Sequence, residues 1–95
     1  MHATTLITGA SQGIGAALAR LLARQGHALL VHCAHRTDLA DAVARDCLSL
    51  GAPQAVVVQA DLAHETEVLK LFAAADAQLP RLTGLVNNAG IVDQT

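Results

Sequence analysis

The chain has no tyrosine, no tryptophan, a single phenylalanine and a single lysine. No phenol is therefore on hand as a proton donor, and the apolar content is aliphatic, mostly alanine, leucine and valine. Charged residues are also scarce, at 15% against 53% hydrophobic, with a mean hydropathy of +0.41. That balance excludes an intrinsically disordered chain. The basic surplus that a nucleic-acid or anionic-membrane surface attracts is missing, since net charge is −2 and the pI is about 6.1. No run reaches the roughly 18 uninterrupted apolar residues that cross a bilayer as a helix. Two cysteines do not make a disulfide framework, so a reducing cytoplasm is expected. Met1 is not followed by a basic leader and an apolar run, and no secretory segment is expected. Ninety-five residues allow one domain at most.

Short apolar runs alternate with helical periods, the pattern of βαβ units on a parallel sheet. Strands are predicted over Ala3 to Thr8, Ala28 to Cys33, Ala55 to Ala60 and Leu82 to Asn87. The run Val56-Val57-Val58 suits a strand covered on both faces. The first helix follows the loop Gly9 to Gly13, with Ile14, Leu18, Leu21 and Leu22 as its apolar stripe and Gly26 past its last turn. The second is capped by Thr37, carries Asp38 in its first turn and buries Leu39, Val43, Cys47 and Leu50, with Gly51 and Pro53 stopping it. The third runs from about Ala63 to Leu79, aligns Val68, Phe72, Ala75 and Leu79, and ends at Pro80. Right-handed crossovers then give the strand order 3-2-1-4, the start of a doubly wound α/β fold. Ligands in such sheets bind where the strand order reverses, here between the first and fourth strands.

Two motifs lie at that point. Thr8-Gly9-Ala10-Ser11-Gln12-Gly13-Ile14-Gly15 joins the first strand to the first helix. Gly9 permits a sharp turn, Gly13 leaves room for a pyrophosphate, and Gly15 lets the helix approach the sheet. The amides and dipole of the first helical turn then face an anion. An ordinary strand-to-helix turn could hold the same glycines, and the spacing is G-x-x-x-G-x-G rather than G-x-G-x-x-G. Asn87-Asn88-Ala89-Gly90 closes the fourth strand, where paired amides can tie strands and small residues leave space for a ligand. By itself it suits a plain turn equally.

Taken together, Thr8-Gly9-x-x-x-Gly13-Ile14-Gly15, Asp61-Leu62 after the third strand and Asn87-Asn88-Ala89-Gly90 after the fourth resemble the short-chain dehydrogenase/reductase family. The resemblance covers the whole chain and is strongest to bacterial β-ketoacyl-acyl-carrier-protein reductases and glucose-dehydrogenase-like proteins. It implies a Rossmann-like domain of which residues 1–95 are the N-terminal part. It also implies that Gly9, Ser11, Gln12, Gly13, Ile14 and Gly15 surround the phosphates and adenosine ribose of a nicotinamide cofactor. Asp61 would take the adenine amino group with the Leu62 amide beside it, although Asp61 also sits where a helix N-cap could. Asn88, Ala89 and Gly90 would line the ribose, while Thr8 and Asn87 hold the sheet together.

Family members that prefer NAD place an acid at the end of the second strand. Here that stretch is His32-Cys33-Ala34-His35-Arg36. Arg36, with help from His35, is a partner for a 2′-phosphate, so NADP(H) is expected over NAD(H). The tyrosine, serine and lysine that such enzymes use to move the substrate proton find no counterpart: tyrosine is absent, and Lys70 pairs with Glu67 at helical spacing. No catalytic residue is therefore assigned within the chain. Its five histidines, His2, His27, His32, His35 and His64, are scattered and show no metal-ligand spacing. Cys47 reads as a core residue, and neither it nor Cys33 has a redox context. The expectation is the cofactor-binding half of an oxidoreductase acting on a small carbonyl or alcohol, a homo-oligomer as the full polypeptide, with no nucleic-acid or membrane partner. A stand-alone nucleotide-binding or regulatory module is the alternative.

Overall fold

A computed structural model of the protein describes residues 3–78 and 84–86. Its elements are β1 (Thr4–Ile7), α1 (Gly13–Arg24), β2 (Ala28–Cys33), α2 (Thr37–Leu50), β3 (Ala55–Gln59), α3 (Glu65–Gln78) and β4 (Gly84–Val86). The strands form one parallel sheet in the order β3-β2-β1-β4, as the alternation of elements predicts. Thr4 to Ile7 lie in register with Ala28 to Val31, Leu29 to Cys33 with Ala55 to Gln59, and Thr5 to Ile7 with Gly84 to Val86.

The strand pleat sends alternate residues to opposite faces. Ile7, Leu29, Val31 and Cys33 pack against Ala16, Ala19 and Ala23 of α1 and Ala40, Val43, Ala44 and Cys47 of α2. Leu6, Ala28 and Leu30 face the other way, toward Leu71 and Ala75 of α3 and Ala60. On the edge strand β3, Val57 packs into the first cluster and Val56 and Val58 into the second, so both faces are engaged but each residue stays half-buried. Leu85 on the opposite edge is 54% exposed.

Three sequence expectations are corrected. The buried face of α1 is Gly15, Ala16, Ala19 and Ala23, flanked by Leu18 and Leu22; Ile14 is 76% exposed and Leu21 also faces solvent. Small residues win because they let the helix lie close to the sheet, whereas a hydropathy stripe records only which residues are apolar. On α3 the residue that reaches the core is Leu71, with Ala75, and Phe72 remains 39% exposed. Thr37 is the first helical residue of α2 rather than its cap; Arg36 holds the N-cap position and makes no side-chain cap bond. The end signals hold better, since the Gly26 amide bonds the Ala23 carbonyl after α1, and Ala52 bonds Cys47 beyond Gly51 after α2.

Candidate functional site

The loop between β1 and α1 leaves the sheet at Gly9, whose φ of 63° lies in the left-handed region that favours glycine. Its first amides are committed to the sheet. The Thr8 amide donates to the Val86 carbonyl at 3.0 Å, and the Thr8 hydroxyl donates to the same oxygen at 3.3 Å. The Gly9 amide donates to His32 Nδ1 at 2.9 Å and the Ala10 amide to the His32 carbonyl at 2.8 Å. Thr8 thus joins β1 to β4, as expected of it; Asn87, Asn88, Ala89 and Gly90 lie outside the described residues.

Beyond Ala10 the loop opens outward. Ser11 is half-buried and Gln12 exposed, and Gln12, in extended backbone, caps α1 without a side-chain bond. Gly13 has a φ of 64°, and a methyl group built on it meets nothing within 4 Å. Side-chain room is thus left unused at the first residue of α1. No acidic residue occupies the first helical turn, so the positive end of the helix dipole and its orphan amides keep their capacity for an anion. Ile14 projects beside them and Gly15 is buried.

The other candidates cluster at the same strand ends. After β2, Arg36 meets Asp38 through Nε–Oδ1 at 3.1 Å and Nη2–Oδ2 at 3.0 Å, both side chains exposed. This two-point pair raises the guanidinium further and lowers the Asp38 carboxyl below the usual carboxylate range. His35 is exposed beside it. After β3, Asp61 Oδ1 accepts the Ala63 amide at 3.0 Å, and Oδ2 lies 3.6 Å from His64 Nε2. Because α3 begins at Glu65, Asp61 closes a short turn rather than capping the helix. Glu67 accepts the Asp61 amide at 3.4 Å and pairs with Lys70 at 3.6 Å. Leu62 packs its side chain into the α3-side cluster.

His32, which the sequence offers only as one of five scattered histidines, is 1% exposed. Its Nε2–H donates to the Ala60 carbonyl at 2.8 Å while Nδ1 accepts from Gly9. A carbonyl can only accept and an amide can only donate, so the partners fix the neutral Nε2–H tautomer. Burial pushes its pKa below 6.5, with the Ala60 carbonyl acting in the opposite sense. The available signal was a polar ring inside the run Ala28-Leu29-Leu30-Val31-His32-Cys33, where burial demands partners. Burial likewise raises the Cys33 thiol, reinforced by Asp41 and Asp38, and raises that of Cys47. Both therefore stay protonated and poorly nucleophilic.

The family model for short chain dehydrogenase matches residues 3–95. The chain belongs to the short-chain dehydrogenase family. An oxidoreductase of Methylorubrum extorquens is 42% identical over 88 residues, which cover 93% of this chain and 35% of that protein. A 3-oxoacyl-[acyl-carrier-protein] reductase of Synechocystis is 41% identical over 90 residues, covering 95% and 36% respectively. Among solved structures, a Burkholderia cenocepacia protein assigned as a dehydrogenase, with bound NADP, superposes with a TM-score of 0.84 at 30% identity, over 90% of this chain and 33% of that one. The chain thus spans about a third of the length of the short-chain dehydrogenases it matches. Among the described residues no helix is long and apolar enough to cross a membrane, and no three His, Cys, Asp or Glu side chains gather as a metal site.

Proposed function

We propose that this chain is the nicotinamide-cofactor-binding half of an NADP(H)-dependent short-chain oxidoreductase that reduces a carbonyl or oxidises an alcohol. The observation that carries the reading is the Gly9–Gly15 loop, which opens into α1 beside the switch from β1 to β4 with an uncapped helix end and open space at Gly13. Those features fit a dinucleotide pyrophosphate. The family match and the NADP-bound structural neighbour support the same reading.

In this assignment the amides of Ser11 to Gly15 hold the phosphates, with Gln12 and Ile14 flanking the adenosine ribose. Arg36 leaves Asp38 to pair with the 2′-phosphate, an exchange of one exposed partner for a doubly charged one, and His35 lies alongside. Asp61 accepts from the adenine amino group with the Leu62 amide next to it, and Asn88, Ala89 and Gly90 line the ribose. When bound, the nicotinamide supplies hydride transfer to or from the carbonyl carbon. The residues of this chain bind and orient; none supplies the proton at the substrate oxygen, and residues 1–95 alone carry no oxidoreductase activity.

Calorimetric titration of the intact polypeptide with NADP and with NAD tests the assignment. NADP is expected to bind more tightly, and Arg36→Ala is expected to weaken NADP more than NAD. Equal or tighter binding of NAD by the unaltered protein removes the cofactor preference. Binding of neither removes the function. Carbonyl-dependent oxidation of NADPH by the intact polypeptide, and none by the isolated 95 residues, completes the test.

A further inference from the structure

Resting on that reading, we propose that His32 is the positioning residue of the cofactor loop: one neutral ring holds the Gly9 amide on Nδ1 and the Ala60 carbonyl on Nε2–H, fixing where the loop leaves the sheet and which of its amides remain for phosphate.

The arrangement spans three strands. His32 lies on β2, in register with Val58 of β3 and flanked by Val31 and Cys33. Its side chain reaches the loop that follows β1 and the turn that follows β3. Its carbonyl takes the next loop amide, Ala10, so two successive loop amides end on one residue. With Thr8 bound to Val86, the amides of Thr8, Gly9 and Ala10 all serve the sheet. Phosphate recognition is left to the amides from Ser11 onward, where the chain turns into α1. An aliphatic side chain would suit the apolar strand better on burial alone. A buried imidazole is tolerated because both nitrogens are matched.

The match holds in a single protonation state. A proton on Nδ1 would set an N–H against the Gly9 N–H and release the loop. The ionisable groups on the surrounding elements are Cys33 on β2, His35 ahead of α2, and Asp61 and His64 after β3. None of them is among the causes of the His32 shift, which are burial and the Ala60 carbonyl.

The test uses the intact polypeptide and two variants. His32→Leu fills the space without either bond. His32→Asn keeps an acceptor close to the Nδ1 position. Dissociation constants for NADP(H) are measured from pH 7.5 to 5, and the ring nitrogens are observed by ¹⁵N NMR. His32→Leu is expected to bind NADP(H) roughly tenfold more weakly, the scale of one lost hydrogen bond, and His32→Asn is expected to recover most of that loss. The unaltered protein should lose more affinity than His32→Asn as pH falls below 6.5, because the titration of the 2′-phosphate and of every other group is common to both. The nitrogen signals should report an unprotonated Nδ1 and a protonated Nε2 at pH 7. Unchanged affinity in His32→Leu, the opposite tautomer, or the same acid limb in His32→Asn overturns the proposal. If His32→Leu does not fold, the comparison of the other two proteins across pH decides. An unaltered protein that binds neither NADP(H) nor NAD(H) at any pH refutes the functional reading itself, which distinguishes that failure from failure of the positioning role.

Discussion

On the inner side of the strand ends, Gly9, Ala10, His32 and Ala60 are joined by hydrogen bonds of 2.8–2.9 Å around a buried ring. On the outer side, Arg36 with Asp38 and Asp61 with His64 meet at 3.0–3.6 Å, and all four side chains are at least half as accessible as in an open chain or close to it, at 48–68% exposure. The inner set is made of backbone groups and one ring whose protonation state is fixed. The outer set is made of ions that water and salt already screen. A ligand cannot displace the inner bonds without leaving buried polar groups unmatched, but it can replace an outer partner at little cost. Shape is therefore set on the inner side, and in the proposed assignment ligand preference is set on the outer.

The largest effect expected from breaking this contrast is at the loop itself. Gly13→Val forces a branched residue into the left-handed region and fills the space beside the helix end. It should weaken nucleotide binding by about 3 kcal/mol or more, roughly a hundredfold, while circular dichroism shows the fold retained. Asp61→Ala, on the outer side, should lower affinity by about 1–3 kcal/mol once the nucleotide covers that carboxylate, measured by calorimetry. Affinity in Gly13→Val equal to that in Asp61→Ala would remove the distinction between the two regions.

Acid should also act on the inner side. The pKa of His32 is lowered on folding, so below 6.5 the unfolded chain binds the proton before the folded chain does. Stability therefore rises with pH through that window, is complete above it, and is lost as pH falls toward the folded pKa. Urea unfolding at pH 7.5 and 5.5 should show this loss, and His32→Asn should remove most of it. The smallest effect belongs to Asp38→Ala, which frees Arg36 from its exposed partner. NADP affinity should rise slightly with little change in NAD affinity, and a fall would mean that Asp38 holds Arg36 in its working orientation.

Much of this architecture was legible in the order of residues. Alternating apolar runs and helical periods, with the handedness rule, lead to β3-β2-β1-β4 without any contact being known. The glycine loop, Arg36 and Asp61 are all recognisable because turns and strand ends carry residue types that regular elements avoid. Which face of a helix is buried was less legible. The larger apolar residues Ile14, Leu21 and Phe72 suggest one face, but Ala16, Ala19, Ala23 and Leu71 occupy the core.

The sequence by itself determined the succession of elements, the site of the sharp turn at Gly9 and the chemistry at each strand end, because these depend on local backbone preference and on a period read along the chain. Only the tertiary structure decided that alanines rather than leucines pack α1 on the sheet, that Arg36 rests on Asp38, and that His32 joins Gly9 to Ala60. Those outcomes depend on how closely separate segments approach. Gly9 and His32 stand 23 residues apart, and His32 and Ala60 stand 28 apart, so the hydrogen bonds that give the ring its role exist only once three strands lie side by side.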